Sequence, residues 1–186
     1  MSKRDELINT ALQLFYRHGI HAVGINEVLA KSGIAKKTLY NYFSSKDALI
    51  LACVIERDRR FTEWFTGRCQ DSNSITAFID QVFIALDDWV NGNTIELGYF
   101  DGCFFINVAA EYSNKKDPIF QQCMQHKLNL KEFIYRQLKL FIADSKQIDL
   151  MLNSLILLKE GVINCAFVMN DKQAAIKAKK IALGLL

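Results

Sequence analysis

Proline occurs once in 186 residues and glycine nine times, too few for a chain of short strands and tight turns. Long uninterrupted helices are what this composition allows. No run of eighteen apolar residues exists, and Met1-Ser2-Lys3-Arg4 leads straight into an amphipathic pattern. Neither a membrane span nor a signal peptide is therefore expected, and the cytoplasm is the expected address. The five cysteines, Cys53, Cys69, Cys103, Cys123 and Cys165, are odd in number, widely spaced and form no CxxC pair. That argues against a disulfide framework and a closed zinc site; isolated cysteines are ordinarily small buried hydrophobes. Three scattered histidines, His18, His21 and His126, come with no glycine-rich phosphate loop and no nucleophile motif. No catalytic residue, metal or cofactor is expected from such a set.

What the chain does have is apolar residues, 51% of the total, enough for a substantial core. Its charge is unevenly placed. Residues 1–60 hold ten Lys/Arg against six Asp/Glu, whereas residues 61–186 hold thirteen against fourteen. A basic first third on a near-neutral remainder fits a nucleic-acid contact confined to the N-terminus.

Helical spacing runs almost end to end. Ser2, with Asp5 three residues on, makes a capping box ahead of Leu7, Ile8, Ala11, Leu12, Leu14 and Phe15, and Gly19 stops that helix. Ile25 to Ala30 form a short helix ended by Gly33, and a second runs from about Lys36 to Phe43 with Leu39 and Phe43 as buried anchors. Two short helices joined by a glycine turn, the second polar and basic, read as a helix-turn-helix with a recognition helix for the DNA major groove. Ser44 is the expected cap of a long helix reaching about Phe65. Gln70 to Ser74 form a polar linker, and Ile75–Val90 is amphipathic. A short buried helix is preferred over a strand after Gly102. Asp117-Pro118 opens a helix to about Ala143. The last two helices, Lys146–Met169 and Lys172 to the end, turn at Asn170-Asp171.

The run Ile34-Ala35-Lys36-Lys37-Thr38-Leu39-Tyr40-Asn41-Tyr42-Phe43, followed by Ser45-Lys46-Asp47-Ala48-Leu49, resembles the TetR family of bacterial transcriptional regulators. The resemblance is dense from about Lys3 to Val54. Residues 101–107, Asp101-Gly102-Cys103-Phe104-Phe105-Ile106-Asn107, resemble a segment of some members' C-terminal domains. Two positions depart from the usual pattern: the family commonly has Ser or Thr where this chain has Gly24, and often Ser where it has Ala35. The implied fold is all-α, with an N-terminal three-helix helix-turn-helix DNA-binding module over residues 1–60. A larger helical ligand-binding and dimerisation domain then spans residues 61–186. The resemblance further implies a homodimer on a palindromic double-stranded DNA operator, acting as a repressor that a small-molecule effector releases.

Phosphate neutralisation supplies most DNA affinity and base-edge contacts supply selectivity. Lys36 and Lys37 open the recognition helix, Thr38 offers a hydroxyl and a methyl, and Asn41 can read adenine with two hydrogen bonds. Tyr40 and Tyr42 fall where the family contacts DNA, and Lys46 resembles its backbone-anchoring lysine. Leu150 to Leu158 are apolar around most of one helix, which therefore needs burial on two sides. Leu155, Leu158, Val162, Phe167, Ile181 and Leu185 are the candidates for pairing. Phe78, Trp89, Phe104, Phe105, Asn107, Tyr112, Phe120 and Met124 are candidates for an effector pocket suited to an apolar or aromatic molecule. Asn107, Glu111, Tyr112 and His126 are the polar groups that could orient it. The alternative is a thiol switch, sensing oxidants or electrophiles through Cys103 or Cys123.

Overall fold

A computed structural model describes every residue from Met1 to Leu186. The chain forms nine helices and no strand: α1 (Lys3–His18), α2 (Ile25–Ser32), α3 (Lys36–Tyr42), α4 (Lys46–Cys69) and α5 (Ile75–Val90), then α6 (Phe104–Glu111), α7 (Pro118–Lys139), α8 (Ser145–Val168) and α9 (Ala174–Leu183). Contacts divide it into two units. Unit 1 comprises Met1–Arg59 and Cys103–His126; unit 2 comprises Arg60–Gly102 and Lys127–Leu186. The contact units do not follow the expected 1–60 and 61–186 ranges, because α6 and the start of α7 group with the N-terminal helices in unit 1.

In unit 1, local chemistry fixes where helices begin and stop. Ser2 Oγ accepts the Asp5 N–H at 3.2 Å, and the Asp5 carboxylate accepts the Ser2 N–H at 3.1 Å, closing the capping box. Gly19 and Gly33 stop α1 and α2 at φ 85° and 69°, backbone that a side chain would strain. At seven residues α3 is too short to persist alone; it persists because Leu39 and Phe43 are buried in a core with Leu7, Ala11, Phe15 and Val28. Ser45, one residue after the expected Ser44, caps α4, its Oγ accepting the Ala48 N–H at 3.1 Å.

Several helix ends differ from the spacing-based expectation, α9 among them, which runs Ala174–Leu183 rather than from Lys172 to the end. α4 continues past Phe65 to Cys69, since Trp64, Phe65 and Cys69 extend its buried side by another turn. α7 ends at Lys139 rather than Ala143, because Phe141 and Ile142 fold back to donate to the Leu138 carbonyl. Asp144 then caps α8 by accepting the Lys146 and Gln147 N–H groups.

Unit 2 is held by apolar burial. α5 packs on α8 and α9, and α8 on α9. The Phe133 ring meets Phe65 and Phe78 at 6.1 and 6.4 Å, edge-on. α8 is long and apolar enough by length and composition to cross a membrane. Its inner residues Met151, Leu155, Val162 and Ile163 are instead buried, and so is Lys159. The Lys159 ammonium pairs with Glu160, whose two carboxylate oxygens also accept from Lys127 Nζ at 2.8 and 2.9 Å. Burial alone would raise the Glu160 carboxyl; the two ammonium groups outweigh it and hold it down at about 2.

Candidate nucleic-acid interface

Burial of Leu39 and Phe43 turns the rest of α3 outward. Lys36, Lys37, Tyr40, Asn41 and Tyr42 are exposed, the two tyrosines at 45% and 46%, while Thr38 is half-buried. Lys36 and Tyr40, Lys37 and Asn41, and Thr38 and Tyr42 are each four apart, so they form stacked neighbours on one helical surface. Neither Gly24 nor Ala35 makes a side-chain capping bond. No acidic residue stands in the first turn of α3, and two lysines do. Lysines there oppose the helix dipole and cost the isolated helix a few tenths of a kcal/mol or more; a polyanion is the environment in which the arrangement becomes favourable.

Lys46 differs from the others. It is half-buried, its Nζ donates to the Ile20 carbonyl at 2.7 Å, and it lies 5.9 Å from the Phe15 ring centroid. The ammonium retains two further donors, but one is committed to holding the connector between α1 and α2.

The pocket candidates are divided between the units. Phe78 and Trp89 lie in unit 2, both buried. Phe104, Phe105, Asn107, Tyr112, Phe120 and Met124 lie in unit 1. Phe104 packs edge-on against Tyr16 at 5.7 Å, and Phe105 stacks on the His126 ring at 3.5 Å. Met124 is 40% exposed.

Three of the groups expected to orient a ligand have other partners. The Glu111 carboxylate bonds to Ile20 and His21, the Tyr112 hydroxyl donates to Asp47, and His126 Nδ1 lies 2.6 Å from an Asp58 oxygen. Sequence spacing carried no signal for these bonds, since each joins residues 65 or more apart in the chain.

Unit 2 carries a groove of about 380 Å³ lined by Arg60, Glu63, Trp64, Arg68 and Glu96, which the sequence reading did not single out. Trp64 also belongs to an aromatic cluster, meeting Phe61 at 5.4 Å and Trp89 at 6.5 Å, with Trp89 against Phe100 at 5.1 Å. Arg68 pairs with Asp88 and lies over the Trp64 ring.

The pairing candidates separate by burial. Leu155 and Val162 correct the expectation: at 0% and 2% exposure they are consumed by the protomer's own core and offer nothing to a second copy. Leu158 and Leu185 are half-buried, and Phe167 and Ile181 are 51% and 57% exposed. The outer side of α8 instead presents Leu150 and Leu157, with Val168 at its end.

Residues 7–53 match the family described as bacterial regulatory proteins, tetR family. An HTH-type transcriptional regulator of Bacillus subtilis, YxaF, is 25% identical over 178 residues, 91% of this chain and 87% of that protein. The HTH-type transcriptional repressor KstR2 of Mycolicibacterium smegmatis is 32% identical over 69 residues, 37% of this chain and 32% of its own. The crystal structure of SCO4454, a TetR-family transcriptional regulator from Streptomyces coelicolor, superposes with a TM-score of 0.86 at 25% identity, covering 98% of this chain and 93% of that one. With the motif, the nine-helix fold and these likenesses in agreement, the N-terminal module belongs to the DNA-binding domain of the TetR family, and the chain over nearly its whole length has the fold of a TetR-family transcriptional regulator.

Proposed function

We propose that the protein is a cytoplasmic repressor that binds a palindromic operator as a homodimer and leaves it when a small apolar or aromatic effector binds. Residues 1–60 read DNA through Lys36, Lys37, Thr38, Tyr40, Asn41 and Tyr42, with Lys46 beside them, and residues 61–186 serve sensing and pairing. The observation that carries the reading is the outward surface of α3, basic and hydrogen-bonding on top of two buried anchors. One such helix covers only a few base pairs, so a second copy is needed to read two half-sites. Leu150, Leu157, Phe167 and Ile181 are apolar side chains at least half exposed on α8 and α9, the kind of surface that pairing would cover.

The effector's place is assigned to the groove at Trp64, where one aromatic ring stands among four charged side chains. Release requires that the effector bind the DNA-free arrangement more tightly than the DNA-bound one. Non-covalent sensing is preferred to a thiol switch because Cys103 and Cys123 are 6% and 3% exposed, which denies an oxidant access.

Selection of binding sites from genomic DNA, followed by titration of the recovered site at several salt concentrations, tests the reading. The expected result is a palindrome bound with a steep salt dependence, by a species of twice the chain mass in sedimentation. Failure to enrich any DNA, or a monomer on the recovered site, would overturn it.

A further inference from the structure

The connector between α1 and α2 is unusually well held. Ile20 and Val23 are each 1% exposed, so its side chains are fixed in the core of unit 1. Its backbone is fixed too, by side chains from distant parts of the sequence. Glu111 Oε1, at the end of α6, accepts the Ile20 N–H at 2.8 Å. Oε2 accepts the His21 N–H at 2.6 Å and lies 2.7 Å from His21 Nδ1. The Ile20 carbonyl is taken by Lys46 Nζ at the start of α4. Next to Glu111, the Tyr112 ring stacks on His21 with centroids 5.6 Å apart, and its hydroxyl donates to Asp47 Oδ1 at 2.8 Å.

We propose that Glu111 is a positioning residue for DNA reading: its carboxylate pins the α1–α2 connector, and that pin sets where α2 and α3 stand. The proposal rests on α3 as the reading helix and deepens that assignment. α3 is too short and poorly capped to hold itself in place, and α2 enters it directly from this connector. A connector with two or more arrangements would leave only a fraction of molecules in the one that fits DNA, and apparent affinity falls by that fraction.

The chemistry selects a carboxylate. Two backbone N–H groups and, in its Nδ1–H form, the His21 ring converge on two oxygens, and each of these donors requires an acceptor. Glutamine would present one acceptor and turn an NH₂ toward a donor. Gly19 provides the clearance: a Cβ there would stand 3.3 Å from Glu111 Oε1, on backbone already at φ 85°. Burial would raise the Glu111 carboxyl, but the Ile20 and His21 N–H groups and the His21 ring together hold it below the ordinary range, so the acceptor form prevails at neutral pH.

The test compares wild type with Glu111→Gln, Glu111→Asp and Tyr112→Phe, using operator titration beside site-resolved amide exchange. In Glu111→Gln, exchange at the Ile20 and His21 amides should accelerate at least tenfold with other unit 1 amides unchanged. Specific operator affinity should fall about tenfold, while affinity for random DNA at low salt and dimer mass stay as in wild type. A side-chain role in packing alone would not split specific from non-specific binding. Glu111→Asp, which keeps the charge but falls one methylene short, should not restore the protection. Wild-type exchange and wild-type operator affinity in Glu111→Gln would overturn the proposal. Should that variant unfold, Glu111→Asp decides, with Tyr112→Phe as the control that keeps the Glu111 bonds: faster exchange at Ile20 and His21 with operator affinity lowered severalfold supports the pin, and wild-type values of both overturn it. If wild type binds no DNA, the reading-helix assignment fails, and the pin is then judged by exchange alone.

Discussion

The two units solve the same problem, holding helices in place, with different chemistry. Unit 1 relies on polar fastenings between residues far apart in sequence: Glu111 to Ile20 and His21, Tyr112 to Asp47, Lys46 to Ile20, His126 to Asp58. Unit 2 relies on aromatic and aliphatic bulk, with Phe61, Trp64, Phe65, Phe78, Trp89 and Phe133 meeting edge-on or stacked. Hydrogen bonds are directional and specify one geometry, whereas apolar contact is non-directional and proportional to area. A module that must match a fixed spacing on DNA needs the first kind. A body that has to be stable, and that we propose covers a second copy, is served by the second.

Phe65→Ala should produce the largest effect on stability and none specific to DNA. The ring is fully buried between Phe61 and Phe133, and such truncations cost about 3–5 kcal/mol. Thermal or urea unfolding reads the loss; a loss below about 1 kcal/mol would mean that unit 2 repacks and that bulk is not what holds it. Lys37→Ala combined with Tyr42→Ala should do the reverse. Both side chains are exposed, so unfolding should be nearly unchanged. Loss of a phosphate contact and a base or phosphate contact should weaken the operator complex by roughly 2–4 kcal/mol. A gel-shift titration with unchanged affinity would remove the reading assignment from this surface.

The Lys127–Glu160–Lys159 cluster of unit 2, built around a buried ammonium, sharpens the contrast through pH. The Glu160 carboxyl is depressed from its ordinary 4.5 to about 2. Its contribution is therefore fully present above about pH 4.5 and is lost as pH falls through about 2. Partial exposure of the pair screens the effect, leaving about 2 kcal/mol. Glu160→Gln should remove that contribution at neutral pH and flatten stability between pH 5 and 2. An acid-unfolding curve superimposable on wild type would assign the acid sensitivity of the fold to other carboxylates.

The contrast also explains what the sequence made legible. Periodicity located all nine helices, because a buried stripe recurs every three to four residues. Ser2, Gly19, Gly33 and Pro118 marked ends through chemistry within four residues of each end. What periodicity cannot tell is which of two apolar sides faces the protomer's own core. Leu155 and Leu157 look alike in sequence, yet one is fully buried and the other 72% exposed. Nor can it show a bond spanning 91 residues: Glu111 read as one polar group in an apolar segment, and only the fold brings it to Ile20. Cys69 likewise read as one cysteine among five, and burial pushes its thiol up to about 12, which removes it as a reactive thiolate.

The smallest expected effect tests whether local polar fastenings matter as much as long-range ones in unit 1. Ser2→Ala deletes the acceptor for the Asp5 N–H and leaves the reciprocal bond from the Ser2 N–H to Asp5 without its counterpart. Such caps contribute about 1 kcal/mol, and α1 carries six buried residues of the unit 1 core, so fraying of its first turn should register in unfolding. It should not register in specific DNA affinity, because Leu7 and Ile8 remain buried beyond the frayed turn and hold α1 against α2. If Ser2→Ala lowered operator affinity as far as Glu111→Gln, unit 1 would be sensitive to any loosening. The distinction between a fastening that stabilises and one that positions would then fail.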